Sequence, residues 1–259
     1  MRFKITLQVK ANHSGRELPL NYQYESASAI YDILSRSDRE YSGWLHENGF
    51  SADKKRFKLF SFSRLIVPKY GIDKENQRLI IQSDVVYWYI TFLPEKSTRN
   101  FIEGVFKQQT FQIGDKYSAV EFTVREIQLM PSLDYKEEMY FETMSPVCIS
   151  LREADGRTTY LSPADPAYTE GLLIGLSDRY KAFHGQEFAG PKYCDLQLLN
   201  EPKSVLVKIK ANTPQQTFVR GYIFRFKIRL PEELMQIAYE NGIGEKGSIG
   251  FGMIKEIER

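Results

Sequence analysis

The chain has 259 residues, 42% of them apolar and 26% charged, with a formal net charge of +2. That length suits two domains of about 130 residues, each with enough apolar side chains for its own core. No apolar run approaches the ~20 residues of a membrane span; the N-terminus, MRFKITLQVK, is a strand pattern and not a signal peptide.

In residues 2–10, Phe3, Ile5, Leu7 and Val9 alternate with Arg2, Lys4, Thr6, Gln8 and Lys10, the period of a half-buried strand. Helices are expected over 26–36 and 38–48, strands over 56–67 and 79–92, a helix over 94–107 and a strand over 118–130. The segment MPSLDYKEE, with Pro131 among polar residues, then breaks the pattern. The second half reads as a strand over 138–152, a helix over 166–184, strands over 203–210 and 216–229, a helix over 231–241 and a strand over 249–257. Without the extra helix at 38–48, each half is β-α-β-β-α-β, the split unit of ferredoxin-like domains. The expected fold is therefore α+β, with tandem ferredoxin-like domains over residues 1–131 and 136–259.

Charge is unevenly spread. Residues 203–229 hold Lys203, Lys208, Lys210, Arg220, Arg225, Lys227 and Arg229 with no acidic residue between them. Lys54, Lys55, Arg56, Lys58, Arg64 and Lys69 form a second cluster. In YIFRFKIRL and SVLVKIK the basic residues take the wet positions, so Lys208, Lys210, Arg225 and Lys227 are expected to project from adjacent strands onto one face. Two basic clusters in a chain with 14% aromatic residues point to a polyanionic partner.

Near the C-terminus, GIGEKGSIGFGMIKEIER places glycine at 242, 244, 247, 250 and 252. Gly242, Gly244 and Gly247 match a dinucleotide fingerprint in letters only. They follow a helix, where the fingerprint needs a strand before it and a helix after it. A P-loop fails because Ser248 follows Gly247 with no lysine between. The remaining reading is a bare backbone that lets another group come close, with Gly250 and Gly252 expected at positive φ.

Candidate catalytic groups are few. Cys148 and Cys194 are too far apart in sequence for a metal motif or a disulfide framework. They read as buried thiols in a reducing compartment, with the cytoplasm as the expected location. His13 lies in a turn-like ANHSG, and His184 ends a helix before Gly185, where a cation suits the helix dipole. His46, in DREYSGWLHENGF, falls one step off a stripe of Tyr41, Trp44 and Leu45, at a helix C-terminus before the basic run KKRFK. No H-E-x-x-H, D-x-D, C-x-x-C or G-x-S-x-G appears, so no metal and no cofactor is expected. A histidine with Tyr and Lys nearby, beside a polyanion surface, suits metal-free cleavage of RNA by its own 2′-OH.

The glycine stretch, YQYESASAIYDIL, the WLHENGF segment, KLFSFS and the MSPVCIS strand together resemble the CRISPR-associated repeat-RNA endoribonucleases of the RAMP superfamily, the Cas6 family. The resemblance spans essentially the whole chain. It implies cleavage of CRISPR precursor transcripts within each repeat, without metal, leaving a 2′,3′-cyclic phosphate and a 5′-OH. It matches the family's catalytic Tyr to Tyr31, the His to His46 and the Lys to Lys58. The longer SADKKRF insertion leaves Lys54 or Lys55 as alternatives for the lysine. RNA contacts are expected from Lys54, Lys55, Lys208, Lys210, Arg220, Arg225, Lys227, Lys246, Gly247 and Ser248. The implied partners are CRISPR repeat RNA, as precursor and mature guide, with a CRISPR effector complex, a monomer or a homodimer left open. A non-cleaving RNA-binding scaffold of the same superfamily, or a domain pair binding another anion, are the other readings.

Overall fold

A computed structural model describes residues 1–10, 15–211 and 213–258; His13 lies outside them. The chain forms two compact units, one of Met1–Glu47 and Arg64–Pro131, the other of Asn48–Ser63 and Ser132–Arg259. Residues 48–63, read from sequence as part of a 1–131 domain, thus group with the second unit.

In the first unit four antiparallel strands lie in the order Val85–Phe92, Arg2–Val9, Ala119–Leu129, Thr110–Gly114. The alternation in Arg2–Val9 buries Phe3, Ile5, Leu7 and Val9, as expected, beside Val86, Trp88 and Ile90 of one neighbour and Phe122 and Val124 of the other. The helices of this unit are α1 (Gln23–Ser37), α2 (Arg39–Glu47) and α3 (Glu95–Lys107). α1 buries Ile30, Ile33 and Leu34, and α3 buries Phe101 and Val105, so two apolar stripes close the core.

The second unit repeats the plan with the sheet order Asp195–Leu198, Arg225–Arg229, Glu138–Thr143, Ile254–Glu256. In chain order these are the first, second, third and fourth strands arranged 2-3-1-4, the ferredoxin-like arrangement. Its helices are α4 (Tyr168–His184) and α5 (Glu232–Asn241). The fold is α+β with tandem ferredoxin-like units, as the element order predicts.

Several strand expectations are corrected. The run 138–152 is two strands in different sheets, Glu138–Thr143 and Ser150–Arg152; 56–67 breaks into Lys55–Phe57 and Phe60–Phe62, and 79–92 into Arg78–Ile81 and Val85–Phe92. The run 216–229 is two strands, Thr217–Ile223 and Arg225–Arg229, which meet at buried Phe224 and belong to different sheets. Thr217–Ile223 pairs with Lys203–Ile209 in a separate hairpin, so the sheet's second strand is Asp195–Leu198 instead. Within residues 249–257 only Ile254–Glu256 is a strand, and a 3-10 turn at Gly247–Ile249 precedes it. Alternation fixes which face a residue takes but not which strand it pairs with, and a four-residue strand carries little alternation at all.

Candidate active site

Asp38 joins α1 to α2. Its backbone N–H donates to the Leu34 carbonyl, and its Oδ1 accepts from the Tyr41 N–H at 2.8 Å, capping the start of α2. That N–H bond, with Lys96 adding, holds the Asp38 carboxyl below the usual carboxylate range. Next, Ser42 Oγ donates to the Tyr31 carbonyl at 3.0 Å, tying α2 to α1 at the candidate tyrosine. His46 lies one helical turn beyond Ser42, on the same side of α2. The result is a Tyr31 ring meeting the His46 ring edge to face, centroids 5.0 Å apart and planes at 85°.

His46 is exposed, whereas Tyr31 is half-buried. Burial, with the Tyr41 side chain adding, pushes the Tyr31 hydroxyl above its ordinary value, so it stays a proton donor near neutrality. The stripe expected on α2 differs in one member. Trp44 is 39% exposed and lies tilted over Tyr41 at 5.5 Å, while Ser42 and Leu45 are buried with Tyr41. His184, exposed, ends α4 before Gly185 at φ 72°, with its ring against Tyr180 and Phe183, a helix-end setting.

Lys54, Lys55 and Lys58 belong to the second unit. Phe50–Ala52 and Lys55–Phe57 make a small hairpin with Lys54 exposed at its turn. The hairpin is pinned to α4 by Lys55 Nζ to Asp178 (2.6 Å) and Lys181 Nζ to Asp53 (2.7 Å). Lys58 follows it, half-buried, and burial, with the Arg56 charge adding, lowers its ammonium below the ordinary lysine value.

Lys55 and Lys58 line a cleft of about 710 Å³ with Lys246, Gly247 and Ser248 of the glycine stretch. The backbone there is tightly folded. Gly250 and Gly252 stand at φ 84° and 78°, as expected for a stretch of this composition. A Cβ on Gly252 would lie 1.9 Å from the Ile243 carbonyl oxygen, so glycine is required. Ser61 Oγ donates to the Phe251 carbonyl at 3.0 Å, and Ile243 N–H to the Gly252 carbonyl at 2.8 Å. Beneath lies Arg179, buried, which donates to the carbonyls of Gly175, Gly242 and Gly244. Sequence reading missed Arg179, because an arginine inside an amphipathic helix looks like a solvated one.

The basic face is corrected. Lys208 and Arg220 are on the 203–223 hairpin, and Lys210 lies just past its first strand at φ 51°, while Arg225 and Lys227 are on the four-stranded sheet. Arg225 pairs with Glu142 at 3.1 Å, Lys227 with Glu138 at 3.2 Å and Arg229 with Glu137 at 3.4 Å, so that sheet face is charge-balanced. The carboxylates come from residues 137–142, far in sequence but adjacent in register. On the hairpin, Lys208 stands 5.8 Å from the exposed Phe218 ring and Arg220 donates to Ser204 Oγ, with Leu206 exposed beside them.

Burial, with nearby acidic groups adding, pushes the Cys148 and Cys194 thiols up to about 12. Among the described residues, no group of three or more His, Cys, Asp and Glu side chains is arranged to hold a metal ion, and no helix is long and apolar enough to cross a membrane.

Two ferredoxin-like units in tandem, the second ending in a glycine-rich turn, define a RAMP-type protein. Residues 17–128 match the family described as CRISPR-associated protein Cas6, N-terminal, and residues 129–256 match CRISPR associated protein Cas6, C-terminal. The chain belongs to the Cas6 family. It is 29% identical over 266 residues to a protein named CRISPR-associated endoribonuclease Cas6 1 of Methanocaldococcus jannaschii, covering 100% of this chain and 93% of that one. A solved structure described as a Cas6-related gene product from Pyrococcus furiosus superposes with a TM-score of 0.83 at 27% identity, covering 100% of this chain and 98% of that one. Another, described as a RAMP protein binding different RNA substrates, gives 0.82 at 27% identity over the whole of both chains.

Proposed function

We propose that this protein binds CRISPR repeat RNA and cleaves the precursor within each repeat, by attack of a ribose 2′-OH on the adjacent phosphorus. The bond formed is O2′–P and the bond broken is P–O5′, which leaves a 2′,3′-cyclic phosphate and a 5′-OH. One group takes the 2′ proton and another supplies a proton to the departing 5′ oxygen. The edge-to-face contact of Tyr31 and His46 carries this reading. It holds a neutral hydroxyl donor and an exposed imidazole at one end of a helix pair, in a chain whose relative from Methanocaldococcus jannaschii is named an endoribonuclease. An imidazole can both take and give a proton at its ring nitrogens, which suits general acid–base work.

Lys58 is assigned the task of offsetting charge on the phosphorus oxygens, on its sequence match and its place in the cleft of the second unit. Lys55 serves α4 through Asp178, and Lys54 stands at a turn, so neither is preferred over Lys58. The backbone around Lys246, Gly247 and Ser248 is assigned to RNA phosphates, and the hairpin cations Lys208 and Arg220, with Lys210 beside them, to the strand beyond. No metal ion is assigned a part.

The test is single-turnover cleavage of repeat RNA in EDTA, with and without one 2′-deoxy substitution at the cut position. Cleavage of the all-ribose strand and none of the substituted strand is expected, because the substitution removes the nucleophile. Cutting of the deoxy strand, or a need for magnesium, overturns the mechanism. Tight binding with no cutting at all would favour a scaffold role.

A further inference from the structure

The cleft of the second unit contains a group that phosphate contacts do not use. Asn241, the last residue of α5, is 4% exposed and lines the cleft, and its Nδ2 is buried with no hydrogen-bond partner among the described residues. An unpaired buried amide is costly, and folded proteins keep few of them without a use. The acceptors nearby are committed elsewhere. Both Glu245 carboxylate oxygens take Ser150 donors, and Asp178 pairs with Lys55. The same cleft exposes Leu151 and Ile174, at 45% and 48%. One exposed aliphatic side chain is ordinary. Two of them lining a cavity with an unpaired donor and the cations Lys58 and Lys246 make a site for something flat, part apolar, part polar and anionic.

We propose that this cleft takes one unpaired nucleotide of the bound RNA. Its base lies against Leu151 and Ile174 and accepts a hydrogen bond from Asn241 Nδ2, and its phosphate meets Lys246. The proposal rests on the repeat-RNA reading above and adds to it a position at which base identity is read. A volume of about 710 Å³ falls within the range of small-ligand sites, about 300–1,000 Å³. Sequence-specific RNA recognition works in this way, on bases splayed out of the stack and read along their edges.

The experiment is fluorescence anisotropy of repeat RNA whose bases are removed one position at a time. For the wild type, one position is expected at which base removal weakens binding about tenfold or more. At that same position, removal should no longer matter in Asn241→Ala. Leu151→Ser and Ile174→Ser alter exposed side chains and should show the same loss of sensitivity, which keeps the test decisive if Asn241→Ala fails to fold. A wild type that prefers repeat RNA but gives a flat scan overturns the nucleotide site and leaves the repeat-RNA reading standing. So do variants as sensitive to base removal as the wild type. A wild type that binds repeat RNA no better than scrambled RNA overturns the repeat-RNA reading, and the nucleotide site with it.

Discussion

Arg179 Nη2 donates to the Gly244 carbonyl at 2.6 Å, and the same guanidinium reaches the Gly242 carbonyl, so one buried cation holds the first turn of the glycine stretch. Burial pushes this guanidinium down to about 10, with Asp178 and Glu245 acting against that shift, so it is still charged at neutral pH. Removing it leaves buried carbonyls without donors, at about 1–3 kcal/mol each. Arg179→Met should therefore lower stability by roughly 3 kcal/mol or more, read as a shift in the urea midpoint. A variant within about 0.5 kcal/mol of wild type would mean that water replaces the guanidinium.

Gly252→Val tests the same stretch from the other side. Its positive φ and the Ile243 carbonyl 1.9 Å from a Cβ leave a branched side chain neither conformation nor room. Either the protein melts earlier or it binds RNA more weakly. A variant that melts and binds like wild type would reduce the stretch to a loose tail.

Salt dependence separates the two groups of cations in residues 203–229. Each phosphate contact with a single strand contributes about 0.7 to the slope of log K against log salt. Lys208→Ala combined with Arg220→Ala should flatten that slope by about 1.4. Arg225→Ala combined with Lys227→Ala should leave it nearly unchanged, because Glu142 and Glu138 already neutralise those charges. The reverse result would return the RNA to the four-stranded sheet.

Glu25 gives a pH signature in the first unit. Burial, with the Asp115 charge adding, pushes its carboxyl up to about 7, and its Oε2 is buried without a hydrogen-bond partner among the described residues. The folded state thus holds the proton more tightly than the unfolded one. The associated stability is fully present below pH ~4.5 and is lost as pH rises through about 7. Glu25→Gln should be close to neutral at pH 4.5 and stabilising at pH 8, on the order of 1–2 kcal/mol once solvent screening is allowed for. Parallel stability curves for the two proteins would place the carboxylate in water.

Periodicity carried much of this architecture because the central strands are long enough to show it. Phe3 to Val9 alternate within an eight-residue strand, and the helices bury stripes that repeat at helical spacing. Asp195–Leu198 spans four residues and Glu17–Pro19 three, too few for a period to register. Phe224 explains a different failure. In sequence the apolar residues Tyr222, Phe224, Phe226 and Ile228 alternate without a break, but the chain changes sheets at Phe224 and the buried positions shift from Val219 and Gly221 to Phe224, Phe226 and Ile228. Tyr31 and His46 come from resemblance and helix spacing, and their rings meet where α2 packs back against α1, away from the Asp38 junction. Arg179 and Asn241 gave no signal, because whether an arginine or an asparagine is buried depends on what folds over it.

The chemistry is tested last, by splitting binding from cutting. His46 is exposed beside Tyr31 and belongs to no packed core, so its replacement should leave the fold and the RNA affinity nearly unchanged. Losing a general acid or base costs about 10²–10⁴ in rate. His46→Ala should therefore bind repeat RNA like wild type and cleave it slower by that factor, under single-turnover conditions in EDTA. Tyr31→Phe keeps the ring against His46 and removes only the hydroxyl, so any loss of rate reports on the proton and not on packing. Lys58→Ala should slow cleavage as well. If His46→Ala cuts normally while Tyr31→Phe or Lys58→Ala does not, the 2′-OH mechanism stands and the assignment of the histidine falls. If all three variants cut like wild type, the active site lies elsewhere on the chain.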